Sequence, residues 1–222
     1  MLVIGAGAIG GPLTLALAAS GQGAGLSAIR LCDDDRVEAS NLQRQVQFSA
    51  TDIGRFKVER TAVRGQGRGV EIEPVPERFT EATADALASD VDLLIDGSDN
   101  FTCKFLVNDV ARRAARPAII ASAVSTRGQV FVSLEPGPCY RCLFEEPPAQ
   151  ETGSCAQVGV LAPMPGMVAG AAAKAALALL AGAPPAGTLM TFPTANGLPR
   201  ITDFAPRNGC PACGKSPNLV AS

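Results

Sequence analysis

Histidine and tryptophan are absent from this chain, and there is a single tyrosine. Without histidine there is no Ser-His catalysis, no imidazole general base and no zinc site that needs imidazole, so any metal must sit on cysteine or carboxylate. The scarcity of aromatic rings and a net charge of −2 argue against nucleic acid, which is usually met by a basic face or stacking platforms. Small ligands or proteins are the expected partners. No basic segment followed by a long apolar stretch opens the chain, which begins Met1-Leu2-Val3-Ile4 and reaches Gly5 at once; the expected location is cytoplasmic. The most membrane-like window, Met167 to Ala183, is interrupted by Lys174 and built from Ala and Gly. It reads as a close-packed core or interface helix, with no membrane partner.

What is present fits one α/β domain, since 222 residues with 47% hydrophobic content can bury a sizeable core. Apolar runs alternate with helical stretches, the pattern of a mostly parallel sheet with helices on both faces. The expected strands are Leu2 to Ile4, Ala28 to Cys32, Val70 to Val75, Val91 to Ile95 and Ala118 to Ala121. Helices are expected from the glycine turn to about Ser20, over Lys57 to Arg64, over Glu81 to Leu87, and from Asn100 to Ala115. A C-terminal antiparallel extension starts with Gly128 to Leu134. Residues 1–135 then form a nucleotide-binding Rossmann-like part and 136–222 the remainder of a single domain.

Three motifs carry chemistry. The turn Gly5-Ala6-Gly7-Ala8-Ile9-Gly10 follows a strand and opens a helix, and a carboxylate, Asp33, ends the second strand. That context reads as a nucleotide or dinucleotide site, with a purely structural turn as the bland alternative. The segment Asp33 to Gln45 separates the nucleotide classes, because Asn41, Arg44 and Gln45 offer amide and guanidinium groups suited to phosphate oxygens and of little use to a nicotinamide. Cys139-Tyr140-Arg141-Cys142 and Cys210-Pro211-Ala212-Cys213 are two CxxC knuckles, the spacing of a closed structural Cys₄ zinc site. Disulfides and a redox CxxC are the alternatives, disfavoured in a cytosolic chain and outside a thioredoxin-like unit. The zinc would pin the C-terminal tail to the middle of the chain.

In combination these motifs resemble the ThiF/MoeB/HesA group, similar to ubiquitin-activating enzymes. The resemblance runs over nearly the whole chain: Gly5 to Gly10, Asp33 to Gln45, Lys57 in Ile53-Gly54-Arg55-Phe56-Lys57, Asp96 to Asn100, Pro138 to Leu143, Cys155 to Gly166 and Gly209 to Gly214. It implies an adenylyltransferase that uses ATP and magnesium to activate the C-terminal glycine of a ubiquitin-like sulfur carrier, for thiamine or molybdenum-cofactor synthesis. It further implies a homodimer and a sulfurtransferase or cysteine desulfurase as sulfur donor. Position by position, the backbone of Gly7, Ala8 and Gly10 would lie under the nucleotide and Asp33 would bind ribose. Ser40, Asn41, Arg44 and Lys57 would face the phosphates, and Asp99, with Asn100 beside it, would hold magnesium or orient the reacting groups. Cys155 aligns with a cysteine that in some relatives bonds covalently to the carrier or its sulfur.

Plainer readings stand beside these roles: Lys57 as a solvated helix residue, Asp99 as an N-cap, Cys155 as an inert free thiol. Cys32 is expected in the core and Cys103 on a helix, neither with chemistry. The sequence departs from the family pattern at its start, where relatives place a helical segment with an arginine that reaches the partner's ATP. Ala8 stands where glycine is common, and Lys104 where an arginine is usual, keeping charge but losing bidentate geometry. Two other functions stay open: a non-catalytic zinc-bearing binding subunit of the same group, and an NAD-dependent oxidoreductase.

Overall fold

Short apolar strands separated by helices assemble into one eight-stranded sheet in the order β3-β2-β1-β4-β5-β6-β7-β8. The computed structural model describes residues 1–147, 159–183, 188–193 and 197–214. Strands β1 (Leu2–Ile4), β2 (Ala28–Cys32), β3 (Glu71–Val75), β4 (Leu94–Asp96) and β5 (Ala118–Val124) pair in parallel. Strands β6 (Arg127–Ser133), β7 (Thr188–Phe192) and β8 (Arg200–Asp203) continue the sheet antiparallel. The expected fold class is the observed one, and the antiparallel extension is longer than the sequence shows. Strand β8 is exposed throughout and β7 is largely half-buried, so neither displays the apolar alternation by which a strand is recognised.

Because side chains alternate across a strand, one residue set faces each side of the sheet. Val3, Ile29, Leu31, Ile95, Ile119, Val130 and Val132 lie in one buried cluster with α1 (Gly10–Ser20), α2 (Lys57–Gly65) and the sixth helix, α6 (Pro163–Leu180). Leu2, Ile4, Cys32, Leu94 and Ala118 lie in another with α3 (Ala84–Ala88) and α4 (Phe101–Arg113). Helix α5 (Tyr140–Leu143) brings Tyr140 into a third cluster with Phe105, Ile120 and Phe131. Leu13 and Leu17, one turn apart on α1, are fully buried; truncating either to alanine costs about 2–5 kcal/mol. Helix α6 is long and apolar enough to cross a membrane by composition, and it packs on α1, β5 and β6.

The C-terminal ends of β1, β2 and β4 meet where the chain leaves β1 in opposite directions, the place where open α/β sheets bind ligands. Two turns touch there. Gly5 has φ +89°, and a Cβ on it would lie 3.0 Å from the Ser98 N; a Cβ on Gly10 would lie 1.8 Å from the Gly5 carbonyl oxygen. Only glycine permits this approach.

The long connection from β2 to α2 is held by charge. Asp52 has no exposed side-chain surface and pairs with Arg60 and Arg64 of α2, both at 2.6 Å, and it accepts the Ser49 N–H at 2.9 Å. Burial alone would raise its pKa, but the hydrogen bonds from Arg64, Ser49 and Arg60 outweigh it and hold the carboxyl far below the usual carboxylate range. Asp52→Asn should therefore destabilise the fold by about 2–3 kcal/mol at neutral pH, allowing for screening at the half-exposed guanidiniums. A depressed folded-state pKa contributes fully above the unfolded value near pH 4 and is lost as pH falls below it. The gap between wild type and Asp52→Asn in urea melts should accordingly narrow between about pH 5 and about pH 3; an equal gap at both would assign the loss to packing instead of charge.

Candidate nucleotide site and cysteine cluster

A cleft of about 1060 Å³ opens over the two touching turns. Its wall includes Gly7, Ala8, Asp33, Asn41, Arg44, Lys57, Asp99 and Asn100, so eight of the ten candidate nucleotide residues converge although the first and last are 93 positions apart in sequence. Gly10 and Ser40 stay off the wall. Gly10 is spent on the close approach to Gly5, and the Ser40 hydroxyl donates to the Glu38 carboxylate at 3.2 Å.

Several of the converging groups also hold the fold. Asp33 accepts the Ala6 N–H on one oxygen at 2.6 Å and the Asp35 N–H on the other at 2.8 Å. Burial pushes its pKa up, opposed by the Ala6 N–H and the Lys57 charge. Its position is dictated by the glycine turn, and each oxygen keeps a lone pair beyond these bonds. The Asn41 amide oxygen accepts the Glu38 N–H at 3.2 Å, closing a capping box over Ala39–Asn41. Asn100 caps α4 by accepting the Cys103 N–H at 2.8 Å; the cap expected as an alternative role for Asp99 thus falls to its neighbour. Asp99 is exposed on the rim and has no ion pair among the described residues.

Arg44 is half-buried, donates to the Ser40 carbonyl at 3.0 Å and likewise has no ion pair among the described residues. Lys57 is buried instead of solvated, with its ammonium 2.6 Å from Asp35. A short antiparallel contact puts it there: the Val37 N–H bonds to the Arg55 carbonyl and the Lys57 N–H to the Asp35 carbonyl, with the Arg36 guanidinium over the Phe56 ring. The ion pair occupies one ammonium hydrogen and leaves two for an anion.

Sequence reasoning missed the charge beneath the second turn. Asp96 and Lys104 are both buried, and the Lys104 ammonium donates to Asp96 at 2.5 Å and to the carbonyls of Ser98 and Ala121 at 2.7 Å. All three hydrogens are satisfied within the fold, so Lys104 ties the β4 turn to β5 and supplies no free charge to a ligand. A carboxylate ending β4, followed by lysine one turn into a helix, was the available signal. Cys32 and Cys103 sit in the core and on α4 as expected, and burial pushes both thiols up to about 12. Cys155 lies outside the described residues.

The four knuckle cysteines come together from opposite ends of the C-terminal half, with all sulfurs within 4.8 Å of one another. Cys139 and Cys210 are 3.6 Å apart and Cys142 and Cys213 3.2 Å, and none forms a disulfide. Tetrahedral zinc at about 2.3 Å from each sulfur requires sulfur separations of about 3.8 Å, so the donor set fits that ion. Burial raises the Cys210 thiol, but N–H groups of Ala212 and Cys213 outweigh it and bring the pKa down to about 6; the Arg207 N–H points at the Cys142 sulfur at 3.3 Å. Donors of this kind stabilise thiolates, whereas burial and the neighbouring sulfurs push the Cys139 and Cys213 thiols up. The cluster is anchored to α4, where Asn108 accepts the Tyr140 N–H at 2.7 Å and Asp109 holds Arg141 through two bonds at 2.7 and 2.8 Å.

Residues 1–213 match the ThiF family. The chain belongs to the ThiF family. It is 36% identical over 220 residues to a SAMP-activating enzyme E1 of Haloferax volcanii, covering 97% of this chain and 80% of that protein. A sulfur carrier protein adenylyltransferase of Thermus thermophilus is 35% identical over 228 residues, covering 98% and 83%. Among solved structures, Escherichia coli MccB bound to MccA-N7isoAsn superposes with a TM-score of 0.82 at 22% identity, over 96% of this chain and 66% of that one. The last likeness concerns the fold.

The cluster generates one expectation. Purified protein should contain about one zinc per chain, and Cys210→Ser should lose it and lower the melting temperature. Full stability with no metal bound would show that the four thiols pack without an ion.

Proposed function

We propose that this ThiF-family chain is an ATP-dependent adenylyltransferase that activates the C-terminal carboxylate of a ubiquitin-like sulfur-carrier protein as an acyl-adenylate, releasing pyrophosphate. The observation that carries the reading is the convergence on one cleft of Arg44, Lys57 and Asp99 with the glycine turn. A carboxylate attacking the α-phosphorus meets like charge, and pyrophosphate must be stabilised as it leaves. Arg44, with no ion pair among the described residues, and Lys57, with two ammonium hydrogens to spare, are suited to mask that charge. Asp99, exposed at the cleft rim, suits magnesium, a hard cation that takes few protein carboxylates alongside phosphate oxygens. Asp33, with a lone pair left on each oxygen, suits a ribose hydroxyl.

The two relatives, named for SAMP activation and sulfur-carrier adenylylation, support a carrier protein as the acyl substrate. The choice between thiamine and molybdenum-cofactor carriers belongs to the docking surface. A homodimer, a sulfur-donating partner, a structural zinc and a cytoplasmic setting complete the proposal. The phosphate-directed cations favour this reading over a nicotinamide oxidoreductase, which has no use for them.

Carrier-dependent exchange of labelled pyrophosphate into ATP is the test. Wild type should exchange with a cognate carrier, and Arg44→Ala should lower the rate by about 10²-fold or more with melting temperature and zinc content unchanged; undiminished exchange would remove Arg44 from the phosphates. No exchange with any carrier of the source organism, by folded and metal-loaded protein, would leave the binding-subunit reading in its place. Cys155 is separable from this step: Cys155→Ala should still adenylate and should fail in sulfur transfer, whereas normal transfer would make it an inert thiol.

A further inference from the structure

We infer that Gln47 is the positioning residue that aims the backbone of the glycine turn at phosphate. The inference rests on the proposed use of the cleft for a triphosphate. Gln47 is buried, and its amide nitrogen donates to the Gly7 carbonyl at 2.9 Å and to the Ala6 carbonyl at 3.3 Å. In a planar trans peptide the carbonyl and the following N–H point in opposite directions. The Gly7 carbonyl also accepts the Gly11 N–H at 3.1 Å, while the Ala6 carbonyl is held by Gln47 alone among the described residues; with both carbonyls held, the N–H groups of Gly7 and Ala8 are turned the other way, on the stretch of turn that lines the cleft. Neither N–H donates a hydrogen bond among the described residues. Two successive free amides in a turn form a concavity for an anion oxygen.

The surroundings are cut to this side chain. A Cβ on Gly11 would lie 2.2 Å from the Gln47 amide nitrogen and 2.7 Å from its Cδ, so only glycine there leaves the amide room. From the opposite strand, Asp33 holds the Ala6 N–H at 2.6 Å. Donor and acceptor of the same residue are thereby clamped by two side chains that approach from different elements.

Gln47 is an expensive choice if stability alone is served. Its amide oxygen is buried with no partner among the described residues, and a half-satisfied buried amide is less favourable than an apolar side chain of the same shape. Such a group calls for an explanation beyond packing, and orientation of the turn supplies one. The position lies two residues past the phosphate-directed motif, in Gln45-Val46-Gln47-Phe48, where nothing in the sequence marks it.

The test separates positioning from packing by titrating inorganic pyrophosphate into the full chain, labelled with ¹⁵N at glycine and alanine. In wild type the amide signals of Gly7 and Ala8 should move. Gln47→Leu should weaken pyrophosphate binding about 10-fold or more, while the melting temperature of the free protein stays level or rises. Gln47→Met, unbranched like glutamine and without a donor, gives the same readout if leucine does not fit beside Gly11. Wild-type affinity in both variants, a melting temperature that falls together with affinity, or wild-type amides that ignore pyrophosphate would each overturn the assignment. Pyrophosphate binding that depends on Gln47 without any carrier-dependent exchange would instead defeat the adenylyltransferase reading and leave this one standing.

Discussion

Everything at the cleft depends on two backbone turns approaching more closely than side chains allow. The turn after β1 and the turn after β4 touch at Gly5 and Ser98, and the first folds on itself where Gly10 meets the Gly5 carbonyl. Packing of this kind has no attractive term of its own beyond dispersion, so other interactions must hold it. The buried Asp96–Lys104 pair does so from below, by fixing the Ser98 carbonyl to β5. Asp33 does so from the side, through the Ala6 N–H, and Gln47 sets the direction of the carbonyls. The turn is thus over-determined before any ligand arrives, which is what preorganised recognition of a phosphate chain requires.

The same economy explains why the Asp33 to Lys57 connection is charged and yet ordered. Of its carboxylates, Asp33 is bound by backbone N–H groups, Asp35 by Lys57, Asp34 by Arg78 and Asp52 by two arginines. Two of these pairings fasten the segment to α2, Asp35 through Lys57 and Asp52 through Arg60 and Arg64, while Asp33 fastens it to the glycine turn. Glu38 takes the Ser40 hydroxyl, and on the cleft wall Arg44 has no ion pair among the described residues while Lys57 keeps two ammonium hydrogens beyond its bond to Asp35. On the proposed reading a triphosphate meets these two cations, with Asp99, unpaired among the described residues, on the same wall. The positive charge is local, since the chain as a whole carries −2.

Much of this was legible in the sequence, for identifiable reasons. Glycine turns, a carboxylate ending β2 and paired CxxC knuckles each demand a narrow local geometry, so residue types at fixed spacing report them directly. Cooperation between side chains distant in sequence leaves no such trace. Lys104 looked like a weakened substitute for arginine until its three hydrogens were found committed to Asp96, Ser98 and Ala121. Asn100, not Asp99, caps α4, a choice between adjacent residues that only backbone angles decide. Gln47 was invisible because its meaning comes from carbonyls 40 and 41 positions away. Strands β7 and β8 escaped because an edge extension need not alternate.

Helix α4 makes a single body of the two motifs that the sequence presents as unrelated. Its first residue follows Asn100 at the cleft, its first turn carries Lys104 under the β4 turn, and its last turns carry Asn108 and Asp109 against the cysteine knuckle. Tyr140, between the two knuckle cysteines, packs edge-on against Phe105 of the same helix at 5.2 Å between ring centroids and lies fully buried. The knuckle and the cleft are thus fixed to the two ends of one continuous helix of 13 residues. On the proposed reading, the four-cysteine cluster thereby supports the helix whose first turn follows Asp99. The cysteine cluster and the cleft share one helix in this fold, and the tail that supplies Cys210 and Cys213 is bound into the same unit.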